Sequence, residues 1–188
     1  GFCNFSQAQS KKKEYKIGAI GFYNFENLFD TEDDPEIRDE EFTPKGKRRW
    51  NEKLYNEKLG NMAKVVSEMG IEVTPNGLSI LGVCEIENRK VLEDFVKHPL
   101  VANRNYKIVH YDSPDERGID VGLIYNPKHF TVTRSKTYPV MIYDGSGERD
   151  FTRDVLLVSG IFDDELIHIM VNHWPSRSGG EKGSQHRR

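Results

Sequence analysis

A chain of 188 residues, 36% hydrophobic and 30% charged, has the length and apolar content for one domain with its own core. Its 27 basic and 30 acidic residues leave a net charge of −3, which argues against a protein that coats nucleic acid through a general basic excess. The two cysteines, Cys3 and Cys84, form neither a disulfide framework nor a metal-ligand spacing, and no stretch approaches the roughly 18 apolar residues of a transmembrane segment.

The opening residues, GFCNFSQAQS and then KKKE, read as a leader remnant or a disordered tail over residues 1–14. SQAQS resembles the small-residue end of a secretory leader. On that reading the protein is exported, to the periplasm or the exterior; otherwise it is cytoplasmic. The rest, 15–188, is expected to belong to a single domain.

YKIGAIGFY (15–23) has the Ile and aromatic content of a strand. A long polar stretch runs from Asn24 to Trp50, with an acidic run, DTEDDPEIRDEE, and then a basic one, KGKRR. It reads as a solvated loop, of a length that is often functional. Asn51 is placed as a helix N-cap, with Glu52 in the first turn. Leu54, Leu59, Met62, Val65, Val66 and Met69 follow at helical spacing, and Gly70 ends the helix. TPNG (74–77) is a turn, LSILGVC (78–84) a buried strand, and RKVLEDFVKH (89–98) a short helix stopped before Pro99. Cys84 is expected to pack as a small hydrophobe.

Strands then dominate. YKIVHY (106–111) leads through DSPDERG into IDVGLIY (119–125) as a hairpin. FTVTRSKTYPVMI (130–142) follows. DVLLVSGIF (154–162) and ELIHIMVNH (165–173) flank Asp163 and Asp164 as a second hairpin. The last stretch, WPSRSGGEKGSQHRR, is loop. The order of elements predicts a mixed α/β architecture.

Polar residues gather where strands end: Asn24 after the first, Glu85 and Glu87 after the second, Asn172 and His173 after the last. Ligands of sheet-based α/β proteins often bind outside the carboxyl ends of strands. Glu offers a hard oxygen to Mg²⁺ or Mn²⁺, and His handles protons near neutral pH. Arg117, Arg153 and Arg177 lie in or beside loops and could fork onto phosphate oxygens. Together these types suit metal-assisted phosphoester hydrolysis. Each has a plainer reading as a solvated acid, a structural histidine or a surface arginine. His98, His110, His129, His168 and His186 show no partner pattern and are read as structural. By pattern alone, an unspecified binding domain stays open beside the hydrolase.

Taken in order, YNFENLFD, ILGVCEIEN, ERGIDVGLIYNP and VNHWPSRSGG resemble the successive N-terminal motifs of the endonuclease/exonuclease/phosphatase superfamily, metal-dependent hydrolases with the deoxyribonuclease fold. The resemblance implies a four-layer α/β sandwich with mixed β-sheets and a Mg²⁺ (or Mn²⁺) cofactor. It implies that Asn24 contacts the scissile phosphate and helps hold the metal, that Glu85 is the metal-ligand carboxylate, and that His173 contacts the phosphate and assists proton transfer. Arg117 and Asp120 fall where members line the substrate cleft, and Ser176, Arg177 and Arg153 are phosphate contacts on the same comparison. Glu85 and Glu87 would share a face of an extended chain, with Glu87 holding groups near the site.

The chain departs from the family at Cys84, where Gln is usual, and in lacking the later Gly-Asp-x-Asn and terminal Ser-Asp-His motifs. It therefore reads as truncated at the C-terminus. The alternative is a non-catalytic phosphate-binding module or an inactive fragment. Strand faces such as LLVSGIF and IHIMV are then expected to be incompletely covered, and to be hidden by the rest of a longer polypeptide, by a partner or by self-association. The substrate class stays open among nucleic acid, a phosphoinositide, a phospholipid and a small phosphate ester.

Overall fold

A computed structural model describes residues 16–175 and 180–184. The N-terminal leader reading, Ser176 and Arg177 lie outside the described residues.

The first sheet has four strands, in the order first, second, fourth and third along the chain. β1 (Ala19–Leu28) runs parallel to β2 (Leu78–Ile86); β3 (Lys107–His110) and β4 (Asp120–Tyr125) form the antiparallel hairpin, and β4 pairs with β2. Between β1 and β2 lies α1 (Glu52–Glu68), capped by Asn51, whose side chain accepts from the N–H groups of Lys53 and Leu54. Gly70 takes the left-handed conformation just beyond the helix end, with φ +75°. After β2 comes α2 (Arg89–Lys97), capped by Asn88.

The second sheet is antiparallel, β5-β8-β9, made of Phe130–Tyr138, Val155–Phe162 and Glu165–Val171 in chain order, with the short pair β6 (Ile142–Tyr143) and β7 (Arg149–Asp150) between β5 and β8. The β8–β9 turn is Asp163-Asp164, both at positive φ (45° and 74°), as a two-residue hairpin loop of right-handed twist requires. A short helix, α3 (Gly180–Ser184), ends the described chain.

Two apolar clusters fix the layering. Leu59, Val66, Leu92 and Phe95 of the helices pack with Phe25, Leu81, Val83 and Ile86 on one face of the first sheet. On its other face, Ile80, Cys84, Val121 and Leu123 meet Leu156, Val158 and Val171 of the second sheet. The described residues are thus stacked helix, sheet, sheet. Each fully buried Leu or Phe contributes about 1.5–3 kcal/mol relative to exposure. Cys84 packs as the small hydrophobe expected, and burial pushes its thiol up to about 12.

Several boundaries differ from the sequence reading. β1 starts and ends later than 15–23, because its register follows β2, from Ala19 opposite Leu78 to Asn24 opposite Cys84. β5 stops at Tyr138 because Pro139 has no N–H to continue a ladder. Leu54 and Val65 do not join the buried stripe of α1; Tyr55, Leu59, Met62, Ala63 and Val66 form it. Of the faces expected to lie open, Leu156, Val158 and Val171 are buried, whereas Leu166 and Met170 on the far side of β9, and Ile20 and Phe22 on β1, are more than half exposed. Among the described residues no helix is long and apolar enough to cross a membrane.

Candidate active site

The site begins with an irregularity in β2. Glu85 has φ +57°, a left-handed backbone rare for a residue with a Cβ. Both neighbouring ladders slip around it. On the β4 side the register jumps from Cys84 opposite Val121 to Ile86 opposite Asp120. On the β1 side, Asn24 pairs with Cys84 and Leu28 with Ile86, leaving Phe25, Glu26 and Asn27 as an excursion opposite Glu85. Glu26 and Asn27 also have positive φ. Asn24 therefore does not end its strand; it opens a bulge inside it.

The bulge resets which face each residue takes. Val83 lies in the helix-side core and Cys84 in the intersheet core, so strict alternation would send Ile86 to the intersheet side. Ile86 instead lies in the helix-side core. The extra residue that absorbs the change is Glu85. The sequence reading placed Glu85 and Glu87 on one face of a regular strand, and the bulge separates their surroundings.

Glu85 meets Asn24 and His173. Asn24 Nδ2 donates to Glu85 Oε1 at 3.1 Å, while Asn24 Oδ1 accepts the Glu26 N–H at 2.6 Å. His173 Nε2 lies 3.2 Å from the same Oε1. The alternation expected of β9 brings His173 there, since Ile169 and Val171 pack into the intersheet core and His173 continues their side past the strand end. Burial holds the imidazole below its ordinary range, with the Arg153 charge acting in the same direction and Glu85 opposing it. Among the described residues His173 Nδ1 is buried without a hydrogen-bond partner.

Glu85 and His173 line a cleft of about 340 Å³ with Arg117, Phe151, Asp115 and Trp174. The Arg117 side chain is 56% exposed, free to move toward a ligand, and its Nε touches Asp115 at 3.3 Å. Arg153, expected at the phosphate, is turned inward. Its side chain is 4% exposed and is engaged by Asp115 and by the His173 carbonyl.

A larger neighbouring cleft, about 630 Å³, is acid-lined. Asp120 belongs there rather than beside Glu85. It accepts from Ser113 N at 2.9 Å and lies 2.9 Å from His110 Nε2, which fixes the β3–β4 loop. Glu87 faces the same cleft, 6% exposed, and accepts the Asp30 N–H at 2.6 Å. It holds the 29–50 loop against β2 rather than a group at the Glu85 site. Burial raises its carboxyl to about 8, with the nearby Asp39 carboxyl contributing.

The donor set at Glu85 suits a small hard cation. The Glu85 carboxylate opens on a cleft with room for water and a phosphate, the kind of partial shell Mg²⁺ accepts, while Asn24 presents its amide N–H to that carboxylate and its Oδ1 to the Glu26 N–H. The group of three acidic or histidine side chains close enough together to hold a metal among the described residues is a different one, His110, Asp112 and Asp120, which does not include Glu85. There both Asp120 oxygens are engaged, Oδ1 by Ser113 and Oδ2 by His110, and the Asp112 side chain is 89% exposed.

Lys58, Asp115 and Trp174 were not singled out from the sequence. Lys58 reaches from α1 to the Glu26 carbonyl, inside the bulge, where burial lowers its ammonium and Glu26 and Glu85 oppose the shift. As a helix lysine it gave no signal. Trp174, 58% exposed at the cleft, had one signal, its place next to His173.

Solved structures that resemble the chain include the human Nocturnin catalytic domain with bound sulfate (16% identity, TM-score 0.41, covering 58% of this chain and 42% of that one). ANGEL2, a 2',3'-cyclic phosphatase, is another (12%, 0.45, 64% and 32%). Humanized D. rerio TDP2 is a third (10%, 0.45, 84% and 47%). The chain thus spans less than half the length of each. No curated protein sequence matches it. The sequence model of the Endonuclease/Exonuclease/phosphatase family matches residues 19–188, nearly the whole described fold, and the chain belongs to that family.

Proposed function

We propose that the protein carrying this chain is a metal-dependent phosphoester hydrolase that cleaves a phosphodiester or phosphomonoester by attack of an activated water. The observation that carries this reading is the convergence of Asn24 and His173 on one carboxylate oxygen of Glu85, from β1, β2 and the end of β9, at a cleft where Glu85 and His173 stand with Arg117.

Glu85, with Asn24, is the set that would hold Mg²⁺ or Mn²⁺, and the ion would supply Lewis-acid polarisation of the phosphate. Burial lowers the His173 imidazole and so favours its neutral form, which can accept a proton or hydrogen-bond a phosphoryl oxygen. Arg117 supplies an exposed guanidinium for phosphate oxygens. Export is proposed from FSQAQS alone; N-terminal sequencing of the native protein that finds residues upstream of Phe2 uncleaved would remove it.

The test is hydrolysis of bis-p-nitrophenyl phosphate with Mg²⁺ or Mn²⁺, with a chelator control, by the protein that carries this chain. Glu85→Gln keeps the shape and removes the charge, and turnover should drop by orders of magnitude with loss of Mn²⁺ affinity. Near-normal activity and metal affinity in that variant would exclude Glu85 as the ligand. Phosphate binding without turnover in the unaltered protein would favour the non-catalytic phosphate-binding module.

A further inference from the structure

β9 makes its last ladder pair at Val171, so the sheet does not fix the backbone of His173. Something else must, because the imidazole reaches Glu85 across the gap between the two sheets. The His173 carbonyl accepts two hydrogen bonds from one guanidinium, at 2.8 Å from Arg153 Nη2 and 3.2 Å from Arg153 Nε. The remaining arm, Nη1, binds Asp115 Oδ2 at 2.7 Å.

Both members of this ion pair are buried, with side chains 4% and 5% exposed. Asp115 is itself tied down. Its Oδ1 accepts the Arg117 N–H at 3.0 Å, and its carbonyl accepts the Gly118 N–H at 2.9 Å, which closes the loop entering β4. The chain of contacts therefore runs from the first sheet, through Asp115 and Arg153, to the residue that follows β9 in the second. A planar guanidinium with fixed donors suits this task, since its fork sets both distance and direction. Both residues line the same cleft as Glu85, but the Arg153 hydrogen bonds run to the His173 carbonyl and to Asp115, so the pair bears on the site through His173.

The geometry points to Asp115 and Arg153 as positioning residues for His173: the buried pair sets the place of the His173 backbone and thereby aims the imidazole at Glu85. This rests on the proposed phosphoester chemistry for its consequence in turnover, but its structural content does not. Removing Asp115 would leave a buried guanidinium unpaired, and such a charge seeks a new partner or water. Arg153 would then release the His173 carbonyl. The Arg117 N–H, whose acceptor is Asp115, would be freed as well.

Imidazole Cε1–Hε1 NMR signals of the six histidines give the direct readout, with the His173 signal identified by its loss in His173→Gln. Asp115→Asn is the mild variant, close to isosteric; Arg153→Met removes the fork, and Arg153→Lys keeps the charge but not the two parallel donors. The His173 signal should shift or broaden in Asp115→Asn and Arg153→Met while the signals of histidines outside the site hold their positions. Arg153→Lys should recover only part of the native signal. In the active protein, kcat should fall at least tenfold with KM changed less than about threefold. An unmoved His173 signal in folded Asp115→Asn overturns the inference. So does a raised KM with kcat intact, which would make Arg153 a substrate contact. If no phosphoester is hydrolysed, the NMR result still decides the positioning role, and only the reading of function falls.

Discussion

His173 Nε2 and Glu85 Oε1 stand 3.2 Å apart although 88 positions separate them in the chain, and the contact bridges the two sheets. The His173 side chain is 22% exposed, but its buried Nδ1 has no hydrogen-bond partner among the described residues, which offsets what its burial contributes. A side chain so placed contributes little to stability. His173→Ala is expected to reduce turnover strongly and to change the melting temperature by no more than a few degrees. A large loss of Tm with activity retained would show a structural histidine instead.

Glu87 gives the fold a pH dependence of unusual sign. Its ordinary value is 4.5 and burial raises it to about 8. Between these values the folded protein holds a proton that the unfolded chain releases, so stability falls as pH rises across that window. Glu87→Gln mimics the protonated form and should flatten this part of the Tm profile. A thermal melt at pH 5, 6.5 and 8 for both proteins checks it. At roughly 2–4 °C per kcal/mol for a domain of this size, an effect of a few kcal/mol is readily measured. Parallel profiles would mean that Glu87 is charged in the fold.

Gly160 sits in β8 where a Cβ would lie 2.5 Å from the Phe130 ring and 2.5 Å from the Thr131 carbonyl oxygen. The ring could shift, but the carbonyl belongs to the facing strand of the ladder. Gly160→Ala should therefore cost several kcal/mol, at or above the roughly 1–3 kcal/mol typical of overpacking. Denaturant melts provide the measurement, and a change below about 0.5 kcal/mol would show that β5 can move aside.

What the sequence conveyed well was local. Asn51 as a cap, the buried run from Leu78, and the Asp163-Asp164 turn depend on residues within a few positions of one another, and short-range stereochemistry decides them. The alternation that carries Ile169, Val171 and His173 along one side of β9 was readable for the same reason. The slip at Glu85 was not readable, because a bulge extends the polar end of a strand without changing its composition. Nor was the Asp115–Arg153 pair, whose members lie 38 positions apart; it made Arg153 look like a free cation. Asp120 was placed in the substrate cleft because its motif lies beside Arg117, whereas its side chain turns to His110 and Ser113. Leu54 and Val65 fit a helical stripe on paper, but the wider face through Tyr55 and Ala63 turned them toward solvent.

The left-handed backbone at Glu85 has a consequence for how such a protein can change over time. A residue with a Cβ is disfavoured there by about 1 kcal/mol relative to glycine. Glu85→Gly should therefore melt above Glu85→Ala, and a reversed order would show that the bulge carries no strain. Since domains have only about 5–15 kcal/mol in hand, a lineage selected for durability alone would drift toward glycine at this position. On the proposed reading, glutamate at this position gives up a small part of that reserve in exchange for a metal-ligating carboxylate.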